Sequence, residues 1–264
     1  MVWRSIAAAL YGPAESGPPL IYTRPVPQPT ITVVIPIHNE ADFLSGAIER
    51  LTAELAEVEA DCEILLAENG STDATAGIAA DLAARRDDVR MLRLPDPDYG
   101  AAMRAGFQES TGEWAVNFDI DYFSGEFLAA ALRQAPEADV VLASKRAAGS
   151  DDRRTLLRRM GTLVFNTILR VLFGSSVSDT HGMKLVRREV ISSVLPLVGS
   201  TKDLFDTELV LRAERDGFRI AELPVVVEEQ RDARSSYLKR VPRTLLGLAR
   251  IRYRMWREDR GSGS

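Results

Sequence analysis

The feature that most constrains the fold is a repeat of a short apolar run, a polar loop and a helix-forming segment. Apolar runs lie at residues 31–37, 63–67, 89–94, 113–122 and 139–143, each with a polar loop behind it. β-Branched and aliphatic runs of this length are typical of strands in a parallel sheet that is covered on both faces. The repeat favours right-handed crossovers, so the sequence predicts an α/β fold with a mainly parallel sheet flanked by helices.

The fourth run carries two aspartates one residue apart, Asp119 and Asp121. If both belong to the strand, they point to the same face, because residues i and i+2 of a strand share a face. Paired carboxylates suit Mg²⁺ or Mn²⁺, which complete their shell with water and substrate phosphates. A pair of this kind also arises by chance. Its position at a strand end midway along the chain favours a metal site, since α/β proteins bind ligands there.

Polar residues follow the other strands in the same way. The carboxyl ends of parallel strands share one edge of the sheet. We therefore expect four loops to form a single rim, namely residues 36–40, 68–73, 119–121 and 145–146.

The charge of the chain is unevenly distributed. The formal net charge is −5, yet residues 231–260 hold ten basic and three acidic side chains. This segment is therefore a candidate for an anionic partner, either a substrate phosphate or membrane lipid. Nucleic acid is excluded as the expected partner, because the rest of the surface is acidic and would repel it.

The sequence also predicts where the protein resides. The single cysteine, Cys62, excludes an internal disulfide and fits a reducing compartment. No export signal and no apolar stretch long enough to span a bilayer is evident. We expect a cytoplasmic protein.

Several motifs, taken in order, point to one family. Segments 34–40, 68–75, 100–107 and 119–121 carry them with matching spacing. Together they resemble the signatures of GT-A-fold glycosyltransferases of family 2. Later blocks make the chain most similar to polyprenyl-phosphate sugar transferases of the dolichyl-phosphate-mannose synthase type; these blocks are residues 144–146, 178–185, 205–209 and 231–237.

The resemblance implies an activity. It implies inverting, metal-dependent transfer of a hexose, mannose or glucose, from a GDP- or UDP-linked sugar to a polyprenyl phosphate. The prolines of residues 12–30 predict an irregular Pro-rich leader over 1–30, and the charge pattern predicts a basic helical segment over 231–264. Between them, the resemblance implies a GT-A nucleotide-sugar-binding and catalytic domain over 31–230.

The resemblance also implies roles for single residues. Asp119 and Asp121 hold the metal, Mg²⁺ or Mn²⁺, and the residues expected to contact the nucleotide are Pro36, His38, Glu40, Glu68 and Asn69. The chain departs from the family where two aspartates are common, at Glu68 and Asn69, which leaves the base open. Phe123 stands where the polyprenyl-phosphate enzymes usually have glutamine.

Cations and carboxylates complete the predicted site. Fixed positive charge stabilises the negative charge on a leaving diphosphate. The alternative is that the basic side chains of this region are ordinary solvated surface charges. The candidates around phosphate are Lys145, Arg146, Arg231 and Arg234, with Gly100, Asp179 and Ser235 as further substrate contacts and Asp121 and Arg231 in the catalytic set.

The acceptor decides whether a base is needed. A lipid phosphate is already an anionic nucleophile, whereas a hydroxyl acceptor requires a carboxylate to take its proton. Asp206 and Glu208 are the candidate bases, with Asp179 as a third. Acidic residues in a first helical turn also simply favour the helix dipole, so this alternative stays open.

Two amphipathic segments bear on the partner. Residues 156–173 are apolar over most of a helical projection, and residues 241–256 place arginines opposite an apolar stripe. We expect them to attach the protein peripherally to the inner face of the membrane. Packing within the fold or against a second copy in a homodimer is the alternative.

Three rival functions remain at this point. The first keeps the sugar donor but uses a soluble hydroxyl acceptor, such as a sugar or small metabolite. The second is a nucleotidyltransferase, although its usual Gly-rich phosphate loop is replaced here by residues 36–40. The third is a nucleotide-sugar-binding protein without turnover.

Overall fold

The computed structural model describes residues 20–22, 30–144, 156–201, 204–225 and 237–261, and side chains within 30–144, 160–201, 204–225 and 241–260. Five predicted site residues lie outside the described residues: Lys145, Arg146, Arg231, Arg234 and Ser235.

Within the described part of the chain, eight strands form one sheet in the order β1-β4-β3-β2-β5-β7-β6-β8. The strands are β1 Leu20–Tyr22, β2 Ile31–Ile37, β3 Cys62–Asn69, β4 Val89–Leu94, β5 Trp114–Asn117, β6 Val140–Ser144, β7 Lys184–Arg187 and β8 Ile220–Pro224. Neighbours β4, β3, β2 and β5 are parallel, as are β6 and β8. The predicted mainly parallel α/β sheet is therefore confirmed.

Helices follow the strands in the predicted rhythm. They are α1 Leu44–Leu55, α2 Thr75–Arg85, α3 Tyr99–Glu109, α4 Gly125–Gln134, α5 Leu156–Phe173, α6 Arg188–Val194, α7 Phe205–Arg215 and α8 Tyr237–Gly261, with a short 3₁₀ turn at Leu195–Leu197. Asp98 caps α3 by accepting from the Ala101 N–H, and Ser124 caps α4 by accepting from the Phe127 N–H. Such caps satisfy backbone donors that have no partner within the helix.

Helices cover both faces of the sheet, as predicted. Helices α1, α2 and α4 pack on one face through residues such as Ile48, Ala79 and Leu128. Helices α3, α6 and α7 pack on the other through residues such as Phe107 and Phe205. Two buried cores thus hold the carboxyl ends of the central strands at one rim.

The antiparallel part of the sheet was not predicted from the sequence. Strand β7 lies between β5 and β6 and runs antiparallel to both. Leu20–Tyr22, within the predicted irregular leader, pairs antiparallel with β4. Short strands of three or four residues carry too little periodicity to be separated from loops by pattern alone.

Helices α5 and α8 pack together on the outer side of α7. Leu169 of α5, Leu211 of α7 and the α8 residues Leu248 and Ile251 form one buried cluster. The same two helices also expose large apolar side chains, so neither is wholly a core helix. We call this exposed set the apolar face: Met160, Leu163, Val164, Val171, Leu172, Val241, Leu245, Leu246, Tyr253 and Trp256.

Charged side chains fasten α8 to α7. Arg212 is fully buried and donates to Glu208 at 2.9 Å and to both carboxylate oxygens of Glu258 at 2.8 and 3.0 Å. Arg254 of α8 donates to Glu208 at 2.7 Å. A buried charge of this kind is stable only when paired, so the network fixes how α8 sits on the domain. Among the described helices, none combines the length and apolar character needed to cross a membrane.

Candidate functional site

A cleft of about 340 Å³ opens at the rim where β2, β3 and β5 end. We call it the rim cleft, and its lining residues are Pro36, His38, Glu40, Asn69, Pro97, Tyr99, Asp119, Ile120 and Asp121. Three of the four loops expected at one rim therefore contribute to a single cleft, and the fourth, at Lys145 and Arg146, lies outside the described residues.

The loops after β2 and β3 are tied to each other by hydrogen bonds. The His38 Nδ1–H donates to the Asn69 carbonyl at 2.8 Å, which leaves Nε2 to accept from Asn39 at 3.2 Å. Asn39 has a positive φ of 55°, a conformation that asparagine tolerates better than most residues. Its Oδ1 accepts from the Thr72 N–H at 2.8 Å. One wall of the rim cleft is therefore fixed before any ligand arrives.

Asp119 and Asp121 lie in a tight turn, which corrects the prediction that both belong to the strand. Strand β5 ends at Asn117, and the backbones of Asp119 and Tyr122 exchange hydrogen bonds at 3.0 and 3.2 Å. The same-face argument from strand periodicity was therefore wrong in its reason. Its conclusion holds geometrically, because the turn brings Asp119 and Asp121 to the same cleft.

Glu68 does not reach the rim cleft, contrary to its predicted role as a nucleotide contact. Its side chain is fully buried, and Oε1 accepts from the Ser71 N–H at 2.6 Å. Oε2 lies 3.1 Å from Arg93 Nε in an ion pair that lacks hydrogen-bond geometry. Glu68 thus holds the loop after β3, while its neighbour Asn69 lines the cleft. Gly100 is buried in the first turn of α3 and is not among the lining residues.

A buried polar network lies beside the rim cleft. The Tyr99 hydroxyl donates to Asp206 Oδ2 at 3.0 Å, and Lys184 Nζ donates to Asp206 Oδ1 at 2.9 Å. Lys184 Nζ also donates to Asn117 Oδ1 at 3.1 Å and to the Gly182 carbonyl at 2.8 Å. Burial, followed by the charges of Asp206 and Asp119, raises the pKa of Tyr99 well above its usual value. Tyr99 therefore stays protonated and keeps donating.

The two predicted bases have other partners. Asp206 is buried and is bonded through both oxygens to Lys184 and Tyr99. Glu208 is fully buried away from the rim cleft and accepts from Ser200, Arg212 and Arg254. Burial alone would raise the pKa of Glu208, but the bond from Ser200 and the charges of Arg254 and Arg212 hold it below its usual value. Neither carboxylate is arranged to take a proton from a hydroxyl.

Asp179 lies in the loop before β7, close to the turn that carries the two aspartates. Its Oδ1 accepts from the His181 N–H at 3.0 Å, and Glu222 of β8 accepts from the Asp179 N–H at 3.1 Å. Burial, the charge of Asp179 and then that of Asp119 raise the pKa of Tyr122. The Tyr122 hydroxyl is buried and has no hydrogen-bond partner among the described residues. Asp179 and Asp119 thus approach Tyr122 from two elements.

The donor set at the turn fits a hard divalent cation. In the described residues, no group of three or more His, Cys, Asp or Glu side chains is arranged to hold a metal. Asp119 and Asp121 are two carboxylates on one cleft, and Mg²⁺ is commonly held by one or two carboxylates with water and substrate phosphates completing the shell. The chemistry of these two residues therefore matches a metal that arrives with a diphosphate.

A second cleft of about 550 Å³ meets the rim cleft at Asp121. We call it the side cleft. Its lining residues are Arg50, Glu54, Asp121, Tyr122, Phe123, Ser124, Glu126, Phe127, Ala130, Met183, Leu223, Pro224 and Val225. It lies between α1, α4 and the end of β8, with Asp121 shared between the two clefts.

Sequence reasoning missed Tyr99, Lys184 and Tyr122. Tyr99 stands directly before the Gly100 motif, and Tyr122 directly after the second aspartate, so both were adjacent to motifs that had been noticed. Lys184 lies inside the block at residues 178–185, but its partner Asp206 is 22 residues away and only the fold brings the two together.

The fold and the rim cleft define a GT-A-type α/β domain, and comparison with known proteins assigns the family. Residues 32–195 match the family described as glycosyl transferase family 2. The chain belongs to this family.

Curated relatives include sugar transferases of polyprenyl phosphates. The chain is 30% identical over 235 residues to glycosyltransferase AglD of Haloferax volcanii, with 86% of this chain and 37% of that protein covered. It is 28% identical over 200 residues to an undecaprenyl-phosphate 4-deoxy-4-formamido-L-arabinose transferase of Pectobacterium carotovorum, with coverage of 70% and 60%. It is 28% identical over 235 residues to a dolichyl-phosphate beta-glucosyltransferase of Trichomonas vaginalis, with coverage of 79% and 69%. The chain thus spans less than two thirds of the length of the first two relatives.

A solved structure supports the fold. Glucosyl-3-phosphoglycerate synthase from Mycobacterium tuberculosis, in complex with Mn²⁺, UDP and glucosyl-3-phosphoglycerate, superposes with a TM-score of 0.63 at 20% identity. The superposition covers 85% of this chain and 80% of the synthase. At this identity the likeness concerns the fold alone.

Proposed function

We propose that this domain transfers a hexose from a nucleotide sugar to a polyprenyl phosphate, with inversion at the anomeric carbon and with a divalent cation. The observation that carries the proposal is the rim cleft, in which two carboxylates on one turn face the ordered loops after β2 and β3. The names of the curated relatives support the choice of a polyprenyl-phosphate acceptor.

The donor is proposed to lie along the rim cleft. His38 and Asn69 are fixed by their mutual hydrogen bond and would border the nucleoside. Asp119 and Asp121 would hold Mg²⁺ or Mn²⁺ against the diphosphate. When bound, such a cation stabilises the negative charge that develops on the leaving nucleoside diphosphate. We assign the remaining positive charge at the phosphates to Lys145, Arg146, Arg231 and Arg234, as the sequence motifs indicate.

The acceptor is inferred from the state of the carboxylates. An acceptor hydroxyl requires a base, whereas an ionised phosphate oxygen attacks the anomeric carbon without one. Asp206 and Glu208 are both engaged in buried ion pairs, and the third candidate, Asp179, is buried and accepts from the His181 N–H at 3.0 Å. The phosphate oxygen would form the new bond to the anomeric carbon as the bond to the diphosphate breaks, and no proton needs to be moved.

A lipid acceptor requires access to a membrane. The apolar face on α5 and α8 exposes side chains such as Val164, Val171 and Leu246, at 57%, 77% and 61%. Arg243 and Arg250 on α8 are exposed as well. Exposed apolar side chains with nearby arginines are typical of helices that lie in the headgroup region of a membrane. We propose that α5 and α8 attach the domain peripherally to the bilayer that holds its acceptor.

The test is a transfer assay with purified protein, undecaprenyl phosphate and a panel of UDP- and GDP-linked hexoses, with and without Mn²⁺. We expect one sugar to be transferred, and we expect chelation of the metal to stop transfer. Asp119→Asn and Asp121→Asn should each lower turnover by at least about 100-fold, as for loss of other groups that stabilise developing charge. Glu57→Asn, at an exposed position away from both clefts, serves as the control.

Binding measurements accompany the assay. Because a ligand that binds only the folded protein raises its apparent stability, UDP with Mn²⁺ should raise the Tm of wild type and not that of the two aspartate variants. Transfer that is undiminished in the folded Asp119→Asn and Asp121→Asn variants would contradict the proposal. So would transfer to a soluble sugar in preference to the lipid phosphate.

A further inference from the structure

The side cleft is a candidate binding site that the donor does not use. It meets the rim cleft at Asp121, so a molecule in the side cleft would end beside the proposed diphosphate position. A group transfer needs its nucleophile at that point. The side cleft is therefore in the right place to orient the second substrate.

The floor of the side cleft is apolar. Phe127 and Met183 are buried at 5% and 3% exposure, and Phe123 and Leu223 are half-buried beside them. The charged lining residues Arg50, Glu54 and Glu126 are exposed. Ligand sites of this size commonly combine an apolar lining with a few polar groups that fix orientation. An apolar chain matches this floor better than a sugar, which needs polar partners along its length.

The walls of the side cleft are fixed by the packing of α1 against α4. The Gly125 N–H, at the start of α4, donates to Glu54 of α1 at 2.8 Å. A Cβ at position 125 would lie 2.8 Å from the Glu54 carbonyl oxygen, so only glycine permits this approach. The side cleft is thus formed in advance, which lowers the entropic cost of binding.

A chain of contacts connects the side cleft to the apolar face. Met183 follows the loop at residues 178–182, and α5 contacts that loop twice. Asn166 donates to the Ser178 carbonyl, and the rings of Phe165 and His181 lie 5.8 Å apart. Helix α5 carries part of the apolar face on its exposed side. Helix α5, which carries part of the apolar face, therefore contacts the loop that leads to Met183 in the side cleft.

We propose that the side cleft binds the isoprene units next to the phosphate of the polyprenyl-phosphate acceptor, with the phosphate beside Asp121. This inference rests on the proposed function and adds the site at which the acceptor is recognised. Phe123 and Phe127 contact the isoprene carbons, and Ala130 leaves the room that the chain occupies.

The test uses citronellyl phosphate, a water-soluble isoprenoid phosphate, titrated calorimetrically into the full chain with UDP and Mn²⁺ present. Ala130→Phe fills the side cleft, and Phe123→Ser removes apolar contact area. Ala129→Phe is the matched control, because Ala129 is equally half-buried on α4 and does not line the cleft. We expect the first two variants to weaken binding of citronellyl phosphate by at least about tenfold and the control to leave it unchanged. UDP affinity should be unchanged in all three.

Several outcomes would overturn the inference. These are no binding of citronellyl phosphate to wild type, equal binding to Ala130→Phe and Phe123→Ser variants that retain UDP affinity, or equally tight binding of inorganic phosphate. The last would mean that only the phosphate is recognised. Sugar transfer to undecaprenyl phosphate is measured separately. If wild type transfers sugar and the side-cleft variants bind citronellyl phosphate as tightly as wild type, this inference is rejected and the proposed function stands. If wild type transfers no sugar with any donor, the proposed function itself is rejected.

Discussion

At the scale of single residues, the most informative group is the hydrogen-bonded set of half-buried Tyr99 with the buried residues Asn117, Lys184 and Asp206. An acidic residue at the start of a helix suggests a base or a dipole partner when it is read in the sequence. In the fold, Asp206 compensates a lysine that is fully buried. Its role is to hold the elements around the rim cleft, because Lys184, Tyr99 and Asp206 come from β7, α3 and α7.

This role gives a prediction for stability. Asp206→Asn leaves Lys184 buried without a counter-charge, so we expect the free energy of unfolding to fall by roughly 3–5 kcal/mol. A second comparison uses Lys184→Met, Asp206→Leu and the variant that carries both changes. The double variant should lose less free energy of unfolding than the sum of the losses in these two single variants, because both members of the pair are then removed together. Urea unfolding of the four proteins measures the coupling. Additive effects would show that the two side chains do not act as a pair.

At the scale of elements, the attachment of α8 to α7 depends on Glu208. Its pKa is held below the usual value despite burial, through Ser200, Arg254 and Arg212. A carboxylate with a depressed folded-state pKa stabilises the fold above its unfolded pKa of about 4.3, and this contribution is lost as the pH falls through the folded value. The stabilising contacts between α7 and α8 are therefore sensitive to acid.

The corresponding prediction compares wild type with Glu208→Gln. The difference in the free energy of unfolding should be fully present at about pH 7, should shrink as the pH falls below the unfolded pKa of about 4.3, and should be lost as the pH falls through the lower folded pKa of Glu208. Urea unfolding at a series of pH values measures it. Glu57→Gln, at an exposed position, is the control and should show no such dependence. A difference that grows on acidification would refute the assignment.

Apolar packing is the second component of the same attachment. Leu248 is fully buried between α5, α7 and α8. Leu248→Ala should lower the free energy of unfolding by about 2–5 kcal/mol, as for other buried leucines that leave a cavity. Hydrogen exchange should rise in α8 more than in β2 or β3. Leu246→Ala, at an exposed position on the same helix, should change little.

At the scale of the whole molecule, the apolar face either lies on a membrane or packs against protein, and the two alternatives predict different behaviour. If α5 and α8 lie on a membrane, Val164→Asp combined with Leu246→Asp should abolish binding to vesicles that contain anionic lipid at low salt. Added salt should also weaken wild-type binding, because the arginines contribute electrostatically. Leu197→Asp, at an exposed apolar position outside α5 and α8, is the control. Sedimentation with vesicles measures the effect, and vesicle binding that survives the double change would contradict peripheral attachment.

The sequence by itself determined the α/β class, the order of the main strands and helices, and the loops that meet at the rim. It could do so because buried parallel strands require continuous apolar runs. The polar residues that follow each run in the sequence must then lie at the carboxyl end of that strand. Local chemistry thus predicted the loops at His38, Asn69 and Asp119.

Only the tertiary structure decided which carboxylates line the rim cleft and which are buried in ion pairs. Glu68, Asp206 and Glu208 look alike in the sequence, yet each is buried against a different cation, namely Arg93, Lys184 and Arg212. The antiparallel strand β7 was likewise decided by pairing with the distant strands β5 and β6. Burial and long-range pairing set the role of a charge, because the cost of removing it from water depends on which partner the fold brings to it.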